Sequence, residues 1–285
     1  MDPSVARRCN RVLEPLHSAL YFAPEQDEYL SAIGLRKGRM PYFAGRAAPM
    51  GAVGPSVVAA TFYNFNPQLI AKYIPRAWTL ASTAEIIAAR FAAVDAMYRR
   101  MLGTEVVESA ELAELAGLAR EATEGARPEG RPLYAGHADV AWPTEPHLVL
   151  WHAITLLREY RGDGHIAALV EAELDGLSAL ITHTMTGIGF TVQAVQLTRG
   201  WSDQQWAEGV AALRAKGLVD EAGGLTEQGT MLRQRIEAAT DRLSLPAWAG
   251  LGEDKADRLT DLGRKFRAAI VAAGAFPAST FAKAQ

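Results

Sequence analysis

Glu14, His17 and Tyr21 recur at spacings of three and four, so a helix through them sets all three side chains on one face. A carboxylate, an imidazole and a phenol in a row have the parts of an acid/base relay. The same row also serves as a hydrogen-bonded network tying two helices together, which is its commoner use. Further along, Tyr42 and Arg46 lie one turn apart in a stretch interrupted by Gly45, Pro49 and Gly51, and Tyr63 and Asn64 close a second apolar stretch. Small-molecule pockets are built from apolar walls with a few fixed polar groups. Arg46 can hold a carboxylate or phosphate through two parallel N–H donors, and Asn64 or Tyr63 can orient what is bound. Each also has a plainer use: Arg46 can close a helix or pair with a structural acid, and Asn64 can cap the helix after Pro67. In the second half His152, Thr155 and Glu159 share a helical face among apolar residues, which makes His152 the candidate histidine there. The candidate ligand-binding set is therefore His17, Tyr21, Tyr42, Arg46, Tyr63, Asn64 and His152.

Other chemistries find little support. The chain has no HExxH, GxSxG, P-loop or CxxC motif. His147 and His152 are five apart, on different faces of a helix, and neither finds a third ligand at metal spacing, so no metal site is expected and no cofactor is named. Gly162-Asp163-Gly164-His165-Ile166-Ala167 fits GxGxxA, but it follows a helical pattern where a dinucleotide site needs a strand. It is read instead as a helix–helix corner, Gly162 ending one helix and Asp163 capping the next.

The elements that must position these residues are helical almost throughout. Ala and Leu are abundant, and long alternating β-branched runs are absent. Helices are predicted from Asp2 toward Phe22 with a kink at Pro15, from Pro24 to Gly34, around 42–48 and 56–63, from Ala84 to Leu102 under a Ser82 or Thr83 cap, and from Ser109 to Thr123. The Gly- and Pro-rich stretch from Ala126 to Pro143 reads as an irregular connector. The division that follows is an N-terminal helical domain over 1–140, a second domain over 145–245, and a C-terminal helix and tail over 246–285. With 285 residues, 49% hydrophobic and 21% charged, the chain has ample core, and its net charge of −3 argues against a dedicated polyanion binder. One cysteine, no signal sequence and no clean apolar run of membrane-spanning length lead to the expectation of a cytoplasmic protein without a membrane partner.

From Phe190 the chain runs helix, Arg199-Gly200-Trp201, helix, and this is helix-turn-helix grammar. Asp220-Glu-Ala-Gly-Gly-Leu-Thr226 follows as two short strand-like pieces around Gly223-Gly224, then a helix opens at Thr226. The segment resembles the C-terminal half of a MarR-type winged helix. The resemblance implies a mainly α fold whose C-terminal domain carries a small β wing. Along its whole length the chain also resembles an actinobacterial family of helix-turn-helix proteins without an assigned role, through Glu14-Pro15-Leu16-His17, Tyr42-Phe43-Ala44-Gly45-Arg46, Thr61-Phe62-Tyr63-Asn64-Phe65 and Arg199-Gly200-Trp201.

A reader of DNA neutralises phosphates with Lys and Arg. Between Phe190 and Arg242 six bases meet seven acids, and the second helix opens with Trp201-Ser202-Asp203-Gln204-Gln205-Trp206. The expectation is a protein that binds a small molecule, as an enzyme of specialised metabolism or a sequestering protein, on a fold that has given up DNA binding. The alternative is a ligand-responsive MarR-like regulator acting as a homodimer, with Arg199, Arg214 and Lys216 on the phosphates.

Overall fold

Capping residues set most of the helix boundaries. The computed structural model describes residues 1–277, so the predicted tail lies outside the described residues from 278 onward. In α1 (Pro3–Ser18) the Asp2 carboxylate accepts the Ser4 amide at 2.8 Å, and Pro15 is accommodated within the helix. A single 3-10 turn, Ala19–Phe22, leads to α2 (Pro24–Ala32). Then come α3 (Arg39–Ala47), α4 (Pro55–Phe62) and α5 (Pro67–Ala71), the last capped by Asn66. The long α6 (Thr83–Leu102) opens on a reciprocal capping box between Ser82 and Glu85, and α7 (Thr104–Val107) and α8 (Ala110–Ala122) follow.

The stretch read as an irregular connector contains α9 (Pro132–Ala138), and the predicted corner at 162–163 is absent. Instead α10 runs unbroken from Pro146 to Glu171. The glycines there serve tertiary contact. A Cβ on Gly164 would lie 2.8 Å from Nη1 of Arg131, whose guanidinium donates to the Tyr160 carbonyl on the same helix and to the Leu243 carbonyl at 2.7 Å. Asp163 caps a neighbour: its carboxylate accepts the Tyr134 amide in the first turn of α9 at 2.9 Å.

The C-terminal part comprises α11 (Gly176–Thr184), α12 (Val192–Arg199), α13 (Asp203–Ala215), α14 (Glu227–Ala249) and α15 (Glu253–Ala272). Gly200 turns the chain between α12 and α13 in a left-handed conformation, φ 76°. The predicted β wing is not formed. Among the described residues there is no strand, and Val219 and Leu225 make one isolated antiparallel bridge. The reason is the brevity of the connection. The Asp220 carboxylate closes the turn by accepting the Gly224 amide at 2.8 Å. On the other side of the bridge Thr226 is already the N-cap of α14, its hydroxyl donating to the Gly217 carbonyl at 2.7 Å. No residues are left over to extend a ladder.

Three apolar clusters organise the helices. The largest gathers α1, α6, α8, α10, α15 and the end of α14 around Trp151 and Trp248. A second joins α2 through α6 around Phe43, Phe62 and Phe65. The third packs the end of α10 with α11, α13 and α14. Because α10 belongs to both the first and the third, one rigid element runs from the N-terminal core into the helix-turn-helix. No helix among the described residues is long and apolar enough to cross a membrane.

Candidate ligand site between the helices

Where α1, α3, α6 and α10 meet, the interior is polar. Glu159 of α10, 2% exposed, places Oε2 2.8 Å from Nη2 of Arg46 and Oε1 2.8 Å from Nη1 of its neighbour Arg158. Nε of Arg158 also donates to the Glu14 carboxylate, at 3.1 and 3.2 Å. Burial pushes the Glu159 carboxyl up, and the guanidiniums of Arg46 and Arg158 pull it further down, to about 2. The Tyr42 hydroxyl, one helical turn before Arg46, accepts from its Nη1 at 2.8 Å, and the Arg46 guanidinium lies 4.3 Å above the Phe62 ring. Burial raises the Tyr42 phenol, but Arg46, Arg199 and Arg158 outweigh it and its pKa falls.

His17 is fully buried. Its ring stacks on Trp151 at 4.8 Å and meets the edge of Tyr21 at 5.6 Å, and neither ring nitrogen has a hydrogen-bond partner. Burial, reinforced by Arg158, Arg90 and Arg46, holds its pKa well below the usual imidazole value, so the ring is neutral. Tyr21 packs its edge on Tyr42 at 4.9 Å and accepts from Nη2 of Arg90 at 3.3 Å. Of the seven candidates, His17, Tyr21, Tyr42 and Arg46 thus fall in one connected group.

His152 lies on the far side of Trp151. With Arg90 and His137 it lines a cavity of about 10 Å³ whose other walls include Phe91 and Trp151. Burial, and secondarily Arg90, lowers His137 to about 3 and His152 to about 4.

Tyr63 and Asn64 are elsewhere. The Tyr63 hydroxyl donates to the Leu174 carbonyl at 2.6 Å, and the Asn64 carbonyl accepts the Trp201 indole N–H at 2.9 Å. Asn64 and Asn66, the latter donating to the carbonyl of Arg199 through its amide (2.9 Å) and to that of Gly200 through its side chain (3.0 Å), clamp the helix-turn-helix corner to the N-terminal half, while Tyr63 ties down the α10–α11 connection. The fit is tight: a Cβ on Gly176 would lie 1.9 Å from the Tyr63 carbonyl oxygen, and one on Gly200 2.8 Å from the Leu69 side chain.

Sequence reasoning missed Arg90, Arg158 and His137 as site residues, and it considered Arg199 only as a phosphate contact. Arg90 did leave a signal, since it replaces an apolar residue on the stripe Ile86, Arg90, Ala93 and Met97 of α6. His137 was hidden with α9. Arg199, at the last position of α12, turns its guanidinium inward, 4.4 Å above the Phe65 ring, which itself tilts against Tyr42 at 5.5 Å. The outward residues of α13 include Asp203, Gln204, Ala207 and Glu208, with Gln204 donating to Glu208 at 2.9 Å and Asp203 accepting from Gln196 at 3.1 Å. Arg214 faces Glu221 and the Asp220 carbonyl. Among the described residues no group of three or more His, Cys, Asp or Glu is placed to hold a metal ion.

A family model for a helix-turn-helix family matches residues 6–277. No curated protein and no solved structure matches the chain.

Proposed function

The chain belongs to a helix-turn-helix family, and we propose that it binds a small organic molecule in the buried group formed by His17, Tyr21, Tyr42 and Arg46. The observation that carries this reading is His17. A buried imidazole with both nitrogens unpartnered costs about 1–3 kcal/mol for each polar atom left without a hydrogen bond, and Nε of Arg46 beside it is likewise unpartnered. Such groups are rare in native interiors, and a ligand that supplies the missing partners explains their retention. The surrounding rings of Trp151, Tyr21, Tyr42 and Phe62 furnish the apolar walls.

Native mass spectrometry of protein purified without added ligand, together with its absorption spectrum, tests this. The expected result is a mass excess lost on denaturation in the wild type and reduced in Tyr42→Phe, which removes a single hydroxyl. A wild-type mass equal to that of the polypeptide, with no ligand found by screening, sinks the reading.

A second reading has its own support. Arg199 links the ligand group to the helix-turn-helix corner, so occupancy can alter how that corner docks, as a ligand-responsive regulator requires. In that case DNA from the chain's own upstream region binds with an affinity that falls steeply with salt. Against it stand the acidic and amide-bearing outer face of α13 and the inward turn of Arg199. Absence of binding at low salt rejects it.

A further inference from the structure

We propose that the chamber bounded by Arg90, His137 and His152 takes a compact monoanion, either a free halide-sized ion or the carboxylate head of an organic acid. This deepens the ligand reading above and rests on it only for the second of those sources.

Arg90 is 4% exposed, yet no carboxylate lies within ion-pair distance of it among the described residues. Its one side-chain hydrogen bond goes from Nη2 to the Tyr21 hydroxyl, at the long distance of 3.3 Å, while Cζ of the guanidinium lies 4.6 Å from the centre of the Trp151 ring. A buried cation without a counterion is among the most costly arrangements in a protein interior. Arg46 and Arg158 answer that cost with a direct ion pair to Glu159, whereas Arg90 feels that carboxylate only from beyond ion-pair distance.

The chamber beside it offers what an anion needs. His137 and His152 are 2% and 1% exposed, and both have an unpartnered Nε2. With the proton on Nε2, each neutral ring adds an N–H donor to those of Arg90. Among the lining residues there is no Asp or Glu, and Ile87, Phe91, Val140, Pro49 and Trp151 supply apolar walls. The size selects the class. About 10 Å³ is the room of one water-sized sphere, which admits a halide or the end of a planar carboxylate and excludes a tetrahedral oxyanion. One guanidinium with neutral imidazoles balances a single negative charge.

The experiment uses the full chain exchanged into sodium HEPES, whose tetrahedral sulfonate head is too large for the chamber. Chloride, bromide, formate, acetate and benzoate are then added at constant ionic strength, with thermal unfolding and ³⁵Cl line broadening as readouts. The wild type should gain melting temperature saturably with chloride or formate, and formate should reverse the chloride broadening. His152→Phe keeps an aromatic ring against Trp142 and Phe91 and removes one donor, so it should weaken the response about ten-fold. Arg90→Met should abolish it. Should Arg90→Met fail to fold, His152→Phe and the competition between formate and chloride still decide.

Chloride and formate binding with benzoate excluded assigns a free ion. Benzoate binding more tightly than formate assigns the head group of an organic acid. Behaviour identical to that in HEPES alone, or a response unchanged in His152→Phe, overturns the proposal and leaves a structural water in the chamber. A neutral organic ligand that binds His152→Phe as well as the wild type, and is indifferent to halide, also overturns it while leaving the ligand reading intact.

Discussion

Glu159→Gln removes the one carboxylate that the buried Arg46 and the half-buried Arg158 share, at nearly constant volume. Arg158 keeps Glu14, but Arg46, whose side chain is 9% exposed, retains only the Tyr42 hydroxyl as a polar partner. Breaking a buried pair by removing one partner costs about 3–5 kcal/mol, and the amide oxygen of glutamine still accepts one hydrogen bond, so the lower end applies. The depression of the Glu159 carboxyl from 4.5 to about 2 leads to a similar ~3 kcal/mol at neutral pH. For a chain of this length the unfolding entropy is roughly 0.6 kcal/mol per kelvin, so the melting temperature should drop by about 5 °C.

The pH dependence gives the sharper test. A depressed carboxyl stabilises the fold fully above the unfolded value of 4.5 and loses that contribution as pH falls toward 2. The difference between wild type and Glu159→Gln in urea unfolding should therefore be largest at pH 7 and shrink below 4.5. Titrations common to both proteins cancel in that difference. A cost under about 1 kcal/mol at pH 7, or a difference independent of pH down to 3, refutes the shared-carboxylate argument.

Asn66→Ala removes the α5 cap and the side-chain bond to Gly200, which should cost about 1–2 kcal/mol and speed amide hydrogen exchange at the α12–α13 turn; unchanged exchange there counts against the clamp. Gly164→Ala meets Arg131 at 2.8 Å and should destabilise the protein despite the helix propensity of alanine. Gly117→Ala, in the middle of α8 with nothing within 4 Å, should stabilise it by about 0.5–1 kcal/mol. Equal effects at the two glycines in urea unfolding would discard the close-approach account of α10. Finally, His152 has a depressed pKa of about 4, so the unfolded chain takes up its proton first, and stability should decline as pH falls from 6.5 toward 4. Asp163, pushed up to about 6 by burial, acts in the opposite sense between 6 and 3.8, so the measurement is the difference between wild type and His152→Phe, which should lose part of the acid slope.

Helix starts were legible because their signals are local. Asp2, Ser82, Ser109, Thr191, Ser202 and Thr226 cap the helices that follow them, and each is readable within four residues of sequence. What escaped was decided by distant partners. Gly162 and Asp163 read as the end of one helix and the cap of the next, but the helix runs on, and Gly164 admits a guanidinium from Arg131, some thirty residues earlier in the chain. The wing pattern was present in Val219 and Leu225, yet the caps of the flanking helices claimed the neighbouring backbone. At the site the same divide holds. Periodicity set His17 and Tyr21 on one face, and Tyr42 and Arg46 one turn apart, whereas nothing near Tyr63 or Asn64 in sequence reveals that the first meets the α10–α11 connection and the second the helix-turn-helix corner.

That corner shows how a fold is specified apart from its use. Its internal grammar is intact, with Thr191 capping α12, Gly200 left-handed and a Ser202–Gln205 capping box opening α13. These features fix two helices at an angle and say nothing about what the outer surface meets. Here the corner itself is engaged by Asn64 and Asn66, and by Arg39 donating to the Thr198 carbonyl at 3.1 Å. Arg199, which the sequence placed among the phosphate contacts, has its guanidinium 4.4 Å over the ring of Phe65 instead. On the regulator reading, an Arg199 that met a phosphate would first have to leave the Phe65 ring and swing outward. Any ligand that holds Arg199 within the cluster opposes that movement by its binding energy.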